Sequence, residues 1–412
     1  MSRSGLAVDG ERLLSRLREL GAIGATGDGG CSRIALTDAD RDGRDLVVAW
    51  MRDLDLDVTV DHVGNVVGTA PGHGDGPAVM CGSHIDTVGA GGLYDGNYGV
   101  LAGLEVIETL LEHGVSTRHP IAVAFFTNEE GVRYAPDMMG SLVYAGGMTV
   151  EEARDITGTD GTRLGDELDR IGYHGATPCP GTAPLAYVEL HIEQGPVLEQ
   201  AGATIGAVTG VQGISWQQLS LIGQSNHAGT TPMSLRRDAA YAAARVTTFV
   251  RELAHEIGGD QVATVGRVEL HPNLVNVVAG RATMTIDLRN TDRTALAGAE
   301  ARLSEFVARL AAEEGVSAQL APLARYDPVA FAPDLVDCIE AVAVSHGHTV
   351  RRMPSGAGHD AQMLARVCPA AMIFVPSAGG VSHNPAEHTD PAQLTAGANV
   401  LLHVLLRLAG ET

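Results

Sequence analysis

The sequence predicts an α/β fold: a mixed, largely parallel sheet flanked by helices, with a smaller α/β domain inserted into the chain. Short, continuously apolar runs, typical of buried strands, alternate with segments of helical periodicity, and this order is that of a parallel sheet. A second block of strand-like and helical segments lies inside the chain rather than at its end. At 412 residues the chain also exceeds what one core usually supports, so two domains are expected.

The first half of the chain supplies most of the predicted main sheet. Helices are predicted at residues 11–20, 38–54 and 100–113, the second capped by Thr37 or Asp38. Strands are predicted at 57–67, around a Gly64-Asn65 turn, and at the apolar runs 78–81, 121–126 and 186–191. The strand–helix–strand order from 78 to 126 indicates a βαβ unit and hence parallel strands.

The inserted block is predicted to begin near residue 212 and to end near 325. It contains strands at 213–223, 261–270 and 281–289 and helices at 238–257 and 294–314. After it come a helix at 335–346, a buried strand at 370–375, a glycine-rich loop at 376–383 and a last helix at 391–408. The predicted domains are therefore 1–211 with 326–412, which is discontinuous, and 212–325.

Composition excludes several classes of partner. The chain has 50 acidic and 28 basic residues, a formal charge of −22. Nucleic acid and anionic membranes need a basic surface, so neither is an expected partner. An anionic substrate would need a local cationic pocket to overcome the overall field.

Localisation and cysteine usage are also constrained by the sequence. Residues 1–10 lack a signal-peptide core, and we expect no segment that approaches the apolar length needed to span a bilayer, so a cytoplasmic protein is expected. The five cysteines are odd in number and scattered, without a CxxC pair. They predict neither a disulfide framework nor a thiolate zinc site.

A polar stretch follows the strand predicted at 78–81. His84 and Asp86 come at its carboxyl end, the edge of an open α/β sheet at which ligands bind. A neutral imidazole can ligate a divalent metal, and a carboxylate two residues on can hold the other ring nitrogen in the required tautomer. Asp95 follows on a glycine-rich turn that can fold back to the same point. The alternative is a solvated turn with a hydrogen-bonded histidine.

Two further strand ends carry similar groups. Glu129 and Glu130 follow the strand at 121–126, and one of two adjacent carboxylates can ligate metal while the other stays free as a general base. The alternative is a helix N-terminus decorated with acids. At the third apolar run, the period of two puts His191 and Glu193 on the same face. This repeats the arrangement found at the first strand end.

Together these strand ends predict a metal centre. The candidate ligands are His84, Asp95, Glu130, His191 and His383, with Glu129 and Asp86 beside them. Nitrogen and carboxylate ligands without cysteine suit two borderline divalent ions that share a bridging carboxylate. Such a pair can polarise a carbonyl and ionise a water together.

The chain resembles the M20-type dinuclear metallohydrolases, and within them the amidase/hydantoinase/carbamoylase branch. That branch holds N-carbamoyl-L-amino-acid hydrolases, allantoate amidohydrolases and β-ureidopropionases. The motifs that carry the resemblance span nearly the whole chain: GSHIDTV, GGLYDGNYGV, NEEGVRY, HIEQGPVLE, HAGTTPM, VNVVAG, SGAGHDA and SHNPAEHT.

The resemblance implies His84, Asp95 and His191 around one ion and Asp95, Glu130 and His383 around the other. It also implies Glu129 as general base and Asp86 as the residue that orients His84. Peptidase branches usually offer an acid in place of His191, which favours a carbamoylase.

The resemblance also assigns roles to the inserted domain, as a lid and as the surface of a homodimer. It implies that His227 stabilises the oxyanion and that Asn276 and Arg289 hold the substrate. Arg289 could form a bidentate fork with a substrate carboxylate, the local cation that the acidic surface requires. The alternative is an arginine paired with Asp287 or Asp292.

Two more residues are expected near these groups. Gln194 and His359 are candidates for binding substrate or supporting the site, although His359 could equally be structural. The segment Arg236-Arg237-Asp238 is expected to order the loop after His227 and the cap of the following helix, and it is not placed in the site.

The implied activity is that of an amidohydrolase with two divalent ions, zinc, manganese, nickel or cobalt. It would act on a small ureido acid, cleaving the ureido C–N bond of an N-carbamoyl-L-amino acid to the amino acid, ammonia and carbon dioxide. Allantoate or another ureido acid is the nearest alternative substrate. An M20 dipeptidase or aminoacylase, and a non-catalytic binding paralogue, are the further alternatives.

Overall fold

The computed structural model describes residues 5–410. They form two compact units. The larger contains the residues up to Gly210 and those from Phe331 onward, and the smaller is Val211–Ala330. The inserted domain was predicted at 212–325. The smaller unit extends beyond it to Ala330, because it includes the short strand Val329–Ala330.

The helices and strands are numbered in chain order. The larger unit begins with α1 (Gly10–Ala22), α2 (Asp38–Asp53), β1 (Asp57–Val60), β2 (Val66–Ala70), β3 (Val79–His84), α3 (Asn97–Glu112), β4 (Ile121–Phe126), α4 (Met139–Tyr144), α5 (Val150–Asp155), α6 (Leu164–Ile171), β5 (Ala186–Ile192), α7 (Val197–Ala201) and β6 (Ile205–Val211). Next come β7 (Gly213–Ile222), β8 (Asn226–His227), α8 (Ala239–Ile257), β9 (Val262–His271), β10 (Val277–Val278), β11 (Arg281–Asn290), α9 (Arg293–Glu314), β12 (Ser317–Tyr326) and β13 (Val329–Ala330). The larger unit resumes with α10 (Pro333–Ser345), β14 (Val350–Ser355), α11 (Asp360–Leu364), β15 (Ala370–Val375) and α12 (Pro391–Ala409).

The sheet of the larger unit is mixed, with a parallel centre. Its strands follow the spatial order β1-β2-β4-β3-β5-β15-β6, and β14 pairs with β6. β3 runs parallel to β4 and β5, and β5 runs parallel to β15. Every residue of these four central strands is buried. Strands covered on both faces read as continuous apolar runs, which is why the sequence located them. The predicted fold class is confirmed.

Helix α12 corrects one sequence expectation. By length and apolar composition it is a helix that could cross a membrane, so the expectation that no segment approaches that length is wrong. Most of its leucines are buried within the unit, and it packs against α3, α10 and β15. A helix covered on most of its surface is apolar all round, and that is the pattern of a core helix.

The smaller unit is a four-stranded antiparallel sheet, in the order β12-β7-β11-β9, with α8 and α9 on one face. Alternate residues of β11 are buried in its core: Ala282, Met284, Ile286 and Leu288. The residues between them, including Arg289, therefore lie on the face opposite the helices.

Candidate active site

The predicted ligands meet at one edge of the larger sheet. His84 is the last residue of β3, His191 lies in β5, Glu130 follows β4, and His383 follows β15. Because these strands are adjacent and parallel, their carboxyl ends share that edge. The ligand atoms of His84, Asp95 and His191 lie within 4.8 Å of one another, as do those of Asp95, Glu130 and His383.

Asp95 stands between the two groups. Its Oδ1 is 3.2 Å from Nε2 of His191 and 3.6 Å from Nε2 of His84. Its Oδ2 is 3.2 Å from Nε2 of His383, which in turn lies 3.3 Å from Oε2 of Glu130. Each carboxylate oxygen therefore faces a different group, the arrangement that a bridging carboxylate requires.

The chemistry of these groups fits divalent cations. Burial and the charge of Asp95 raise the pKa of Glu130 to about 8. Burial acts on Asp95 in the same direction, but hydrogen bonds to the neighbouring imidazoles hold the pKa of that carboxyl well below its usual range. Oε1 of Glu130 and Oε1 of Gln194 are buried without a hydrogen-bond partner among the described residues. Buried acceptors without donors, next to imidazole nitrogens, fit two divalent ions that share Asp95.

Glu129 lies beside both groups. Its side chain is buried, and Oε2 lies 3.5 Å from Nε2 of His84. Burial, with nearby acids, raises the pKa of Glu129 well above its usual range. A carboxylate in this position, outside both ligand groups, is suited to take up and return a proton.

Asp86 acts differently from the prediction. Nδ1 of His84 lies 2.8 Å from the backbone carbonyl of Asp86, whereas the nearest carboxylate oxygen is 4.0 Å away. The carboxylate instead accepts the backbone N–H groups of Glu129, at 3.2 Å, and Glu130, at 3.3 Å. The main chain of Asp86 therefore orients His84, and its side chain positions the two glutamates.

On β5, too, a backbone carbonyl rather than a carboxylate contacts the ring of the histidine. Nδ1 of His191 lies 2.9 Å from the carbonyl oxygen of Ile192. Glu193 accepts the N–H groups of Val197, at 2.6 Å, and Leu198, at 2.7 Å, where α7 begins. The period of two put His191 and Glu193 on one face of the strand. It could not identify the group that contacts the ring of His191, which is a backbone carbonyl.

Gln194 and His359 both contact the metal-ligand cluster. The Nε2 amide of Gln194 donates to Oδ2 of Asp95 at 2.8 Å. The buried ring of His359 lies 4.6 Å from that of His191, measured between centroids, and its Nε2 is 3.0 Å from the hydroxyl of Ser355. Gln194 thus touches the bridging carboxylate, while His359 packs against a ligand ring.

Three non-glycine residues at this site have left-handed backbone. Asn128, Gln194 and His383 have φ values of 58°, 59° and 52°. Non-glycine residues in this region cost roughly 1–3 kcal/mol each and persist where the surrounding structure imposes them. Gly96 also has a left-handed backbone, with φ 66°, and glycine is required here because a Cβ at that position would overlap the ring of His84.

Two supporting residues were missed by the sequence analysis. Arg33 is completely buried and donates from Nε to the carbonyl of Ile85, at 2.8 Å, and from Nη2 to Oδ1 of Asn97, at 2.7 Å. Glu387 accepts the N–H of Asp95 at 3.2 Å. Arg33 lies in no motif, whereas Glu387 lies inside SHNPAEHT, so the only signal for it was its proximity to His383.

In the smaller unit, His227 is exposed and has a defined tautomer. Its Nδ1 accepts the backbone N–H groups of Gly229, at 3.1 Å, and Thr230, at 3.2 Å. In a neutral imidazole the other nitrogen then carries the proton, so Nε2 is a donor. As expected, Arg236 orders this loop, donating to the carbonyl oxygens of Thr231 and Ala228.

Arg289 and Asn276 also lie in the smaller unit. Arg289 Nη2 is 2.9 Å from Oδ2 of Asp287, so the ion pair considered as an alternative is present. The guanidinium also lies 6.0 Å from the ring centroid of Trp216. Asn276 is exposed. All the metal-ligand groups found among residues 5–410 lie in the larger unit.

Comparison with known proteins gives consistent matches over most of the chain. Residues 80–407 match peptidase family M20/M25/M40. An N-carbamoyl-L-amino-acid amidohydrolase of Rhizobium meliloti is 40% identical over 403 residues, 98% of this chain and 97% of that protein. An allantoate amidohydrolase of Bacillus subtilis (strain 168) is 34% identical over 393 residues, 95% of each chain. The crystal structure of an amidase of the hydantoinase/carbamoylase family from Burkholderia multivorans matches with a TM-score of 0.96 at 47% identity, covering 98% of each chain.

Proposed function

The chain belongs to peptidase family M20/M25/M40, and from this membership we propose that it is a metal-dependent amidohydrolase that cleaves the ureido C–N bond of an N-carbamoyl-L-amino acid. The observation that carries the proposal is the pair of ligand groups sharing Asp95, with the carboxylate of Glu129 beside them. Zinc, manganese, nickel and cobalt are all compatible with imidazole and carboxylate ligands.

Two divalent ions held by these residues would polarise the substrate carbonyl and lower the pKa of a water. Glu129 takes a proton from the attacking water at Oε2 and returns it to the leaving nitrogen. Attack of the water oxygen on the carbonyl carbon forms a C–O bond, and collapse of the adduct breaks the first C–N bond and releases one nitrogen as ammonia. The carbamic acid that remains loses carbon dioxide, which frees the second nitrogen, so the whole reaction consumes one water.

Three residues of the smaller unit are proposed to act on the substrate. His227 would donate from Nε2 to the carbonyl oxygen as negative charge develops on it. Arg289 and Asn276 would hold the substrate carboxylate, and the ion pair with Asp287 supports this role because it fixes the orientation of the guanidinium. In this proposal the smaller unit serves as a lid.

Allantoate, or a related ureido acid, is the second candidate substrate. The match to an allantoate amidohydrolase over 95% of each chain favours it. Both substrates offer a carboxylate and a ureido group, so the same proposed residues would bind either one.

The proposal is tested by ammonia release from metal-reconstituted protein. The substrates are N-carbamoyl-L-amino acids, β-ureidopropionate and allantoate, with dipeptides and N-acetyl amino acids as controls, each repeated after chelation. We expect chelator-sensitive turnover of one ureido class. Turnover of dipeptides or N-acetyl amino acids at comparable efficiency, or silence across the ureido panel with metal bound, would contradict the assignment.

We also propose a homodimer formed through the smaller unit. Apolar side chains on its loops are strongly exposed, with Met233 at 77% and Leu235 at 71%. Such side chains favour a partner surface over water. Light scattering coupled to size-exclusion chromatography should give twice the chain mass of 42.8 kDa, and a monomer at micromolar concentration would refute the dimer.

A further inference from the structure

We propose that Glu387 is a positioning residue that holds the loop of His383 against the turn of Asp95, and that the ion bound by Asp95, Glu130 and His383 is retained only while it does so. The inference rests on the proposed metal-dependent function. In this inference, a residue that belongs to neither ligand group determines whether one of the two ions stays bound.

The contacts of Glu387 join two segments far apart in the chain. Its Oε1 accepts the backbone N–H groups of Tyr94, at 3.1 Å, and Asp95, at 3.2 Å. Its Oε2 accepts the hydroxyl of Ser382 at 2.9 Å, and that hydroxyl also lies 3.2 Å from Oδ2 of Asp95. Ser382 directly precedes His383, so one carboxylate fixes the Asp95 turn and the His383 loop together.

The surrounding structure is shaped to admit this side chain. Glu387 is 6% exposed, a degree of burial that a carboxylate tolerates only when its oxygens are hydrogen-bonded. A Cβ at Gly92 would overlap the Glu387 side chain. Glycine at position 92 is therefore needed for the carboxylate to reach the Asp95 turn.

The two ligand groups differ in how much they depend on such support. His84 and His191 belong to central strands and are each 1% exposed, so the sheet itself holds them. The side chain of His383 is 50% exposed, and its backbone is left-handed in a loop outside the strands. Loss of Glu387 should therefore displace His383 before it affects the other group.

The test compares metal loss from Glu387→Ala, Glu387→Gln and the wild type. Each protein is loaded with Co²⁺, challenged with excess chelator, and followed by cobalt content per chain and by the visible absorption of the bound ion. Glu387→Ala should lose one ion about 10- to 100-fold faster than the wild type, the usual cost of removing a residue that supports a ligand. The second ion should leave at the wild-type rate. Glu387→Gln should behave as the wild type, because its amide oxygen can still accept both N–H groups while its amide N–H donates to the hydroxyl of Ser382, which can then donate to Asp95.

Glu105→Ala is the matched control. Glu105 is also a buried glutamate, and it accepts a backbone N–H from Asp9 at 2.9 Å and a hydroxyl from Thr109 at 3.2 Å. It lies on α3, outside both ligand groups. Its loss should lower thermal stability and leave the rates of metal release unchanged.

Four outcomes would overturn the inference. They are wild-type release rates in Glu387→Ala, equal acceleration for both ions, release from Glu387→Gln as fast as from the alanine variant, and the same acceleration in Glu105→Ala. If Glu387→Ala does not fold, Ser382→Ala replaces it, and an unchanged rate for that variant overturns the inference. A wild type that binds no cobalt would instead refute the proposed function.

Discussion

The larger unit buries most of its predicted site residues, whereas the smaller unit leaves two of its three exposed. In the larger unit, His84, His191 and Asp95 are 1%, 1% and 4% exposed and contact one another. In the smaller unit, His227 and Asn276 are exposed. Parallel strand ends buried in a core have little freedom to move, whereas exposed loop residues have more.

This difference separates two tasks that an amidohydrolase must perform. Ligands for ions need positions fixed within a fraction of an ångström, and a buried sheet edge supplies them. Residues that grip a substrate must also release the product, and mobile loops suit that task. Variants in the larger unit should therefore affect chemistry or metal content, and variants of Arg289 and Asn276 in the smaller unit should affect the handling of substrate. His227 is the exception, because it is proposed to act on the reacting carbonyl oxygen.

Glu129→Gln should have the largest effect. The amide cannot accept a proton, so kcat should fall by about 10²- to 10⁴-fold, the range for loss of a general base. Metal content should stay the same, because Glu129 lies outside both ligand groups. Steady-state kinetics and metal analysis of one preparation measure both quantities. Near-normal turnover would exclude Glu129 as the base.

His227→Ala should come next. Removal of one donor to an oxyanion costs about 10²- to 10³-fold in kcat. His271→Ala is the control, because His271 is an exposed histidine at the end of β9 in the same unit. Equal losses in the two variants would mean that the effect is not specific to the oxyanion.

Arg289→Lys should mainly raise KM. Lysine keeps the charge but loses the fork, and a hydrogen bond to a charged group is worth roughly 1.5–3 kcal/mol, or about 10- to 100-fold. Arg281→Lys is the control, since Arg281 lies on the same strand and the same face of the sheet. A fall in kcat with KM unchanged would argue against a role in binding.

Metal removal should abolish turnover, and its effect on stability should be confined to one unit. An ion at 100 times its dissociation constant stabilises the state that binds it by about 2.7 kcal/mol. Hydrogen exchange with and without metal should therefore change in β3 and β5 and stay the same in β7 and β11. An equal change in hydrogen-exchange protection in both units would contradict the expectation that the ions stabilise only the larger unit.

How much of this could be predicted depended on burial. β4 and β15 were predicted to the residue, because strands covered on both faces are apolar throughout. β12 was missed because exposed and half-buried residues mix along it, so no apolar run marks it. The helices α5 and α6 were missed because they are short, with 6 and 8 residues, although the buried Leu164, Leu168 and Ile171 of α6 have helical spacing.

The parts of the candidate site also differ in how far they could be predicted from the sequence. The proximity of the candidate ligands could be predicted because parallel strand ends meet at one edge, whatever loops join them. The carbonyl that orients His84 and the carboxylate of Glu387 could not, because each depends on how a loop folds back. Local sequence carries no signal for a main-chain oxygen or for a contact between residues 292 positions apart, as between Glu387 and Asp95.

The left-handed backbone at Gln194 and His383 bears on how this chain can evolve. Glycine at either position would relieve the steric cost of roughly 1–3 kcal/mol, so selection for heat resistance alone would accept it. The same change would delete the amide of Gln194 or the imidazole of His383 from the site, and selection for turnover would reject it. Gains in robustness must therefore accumulate away from these two positions, where a more stable chain does not become a slower enzyme.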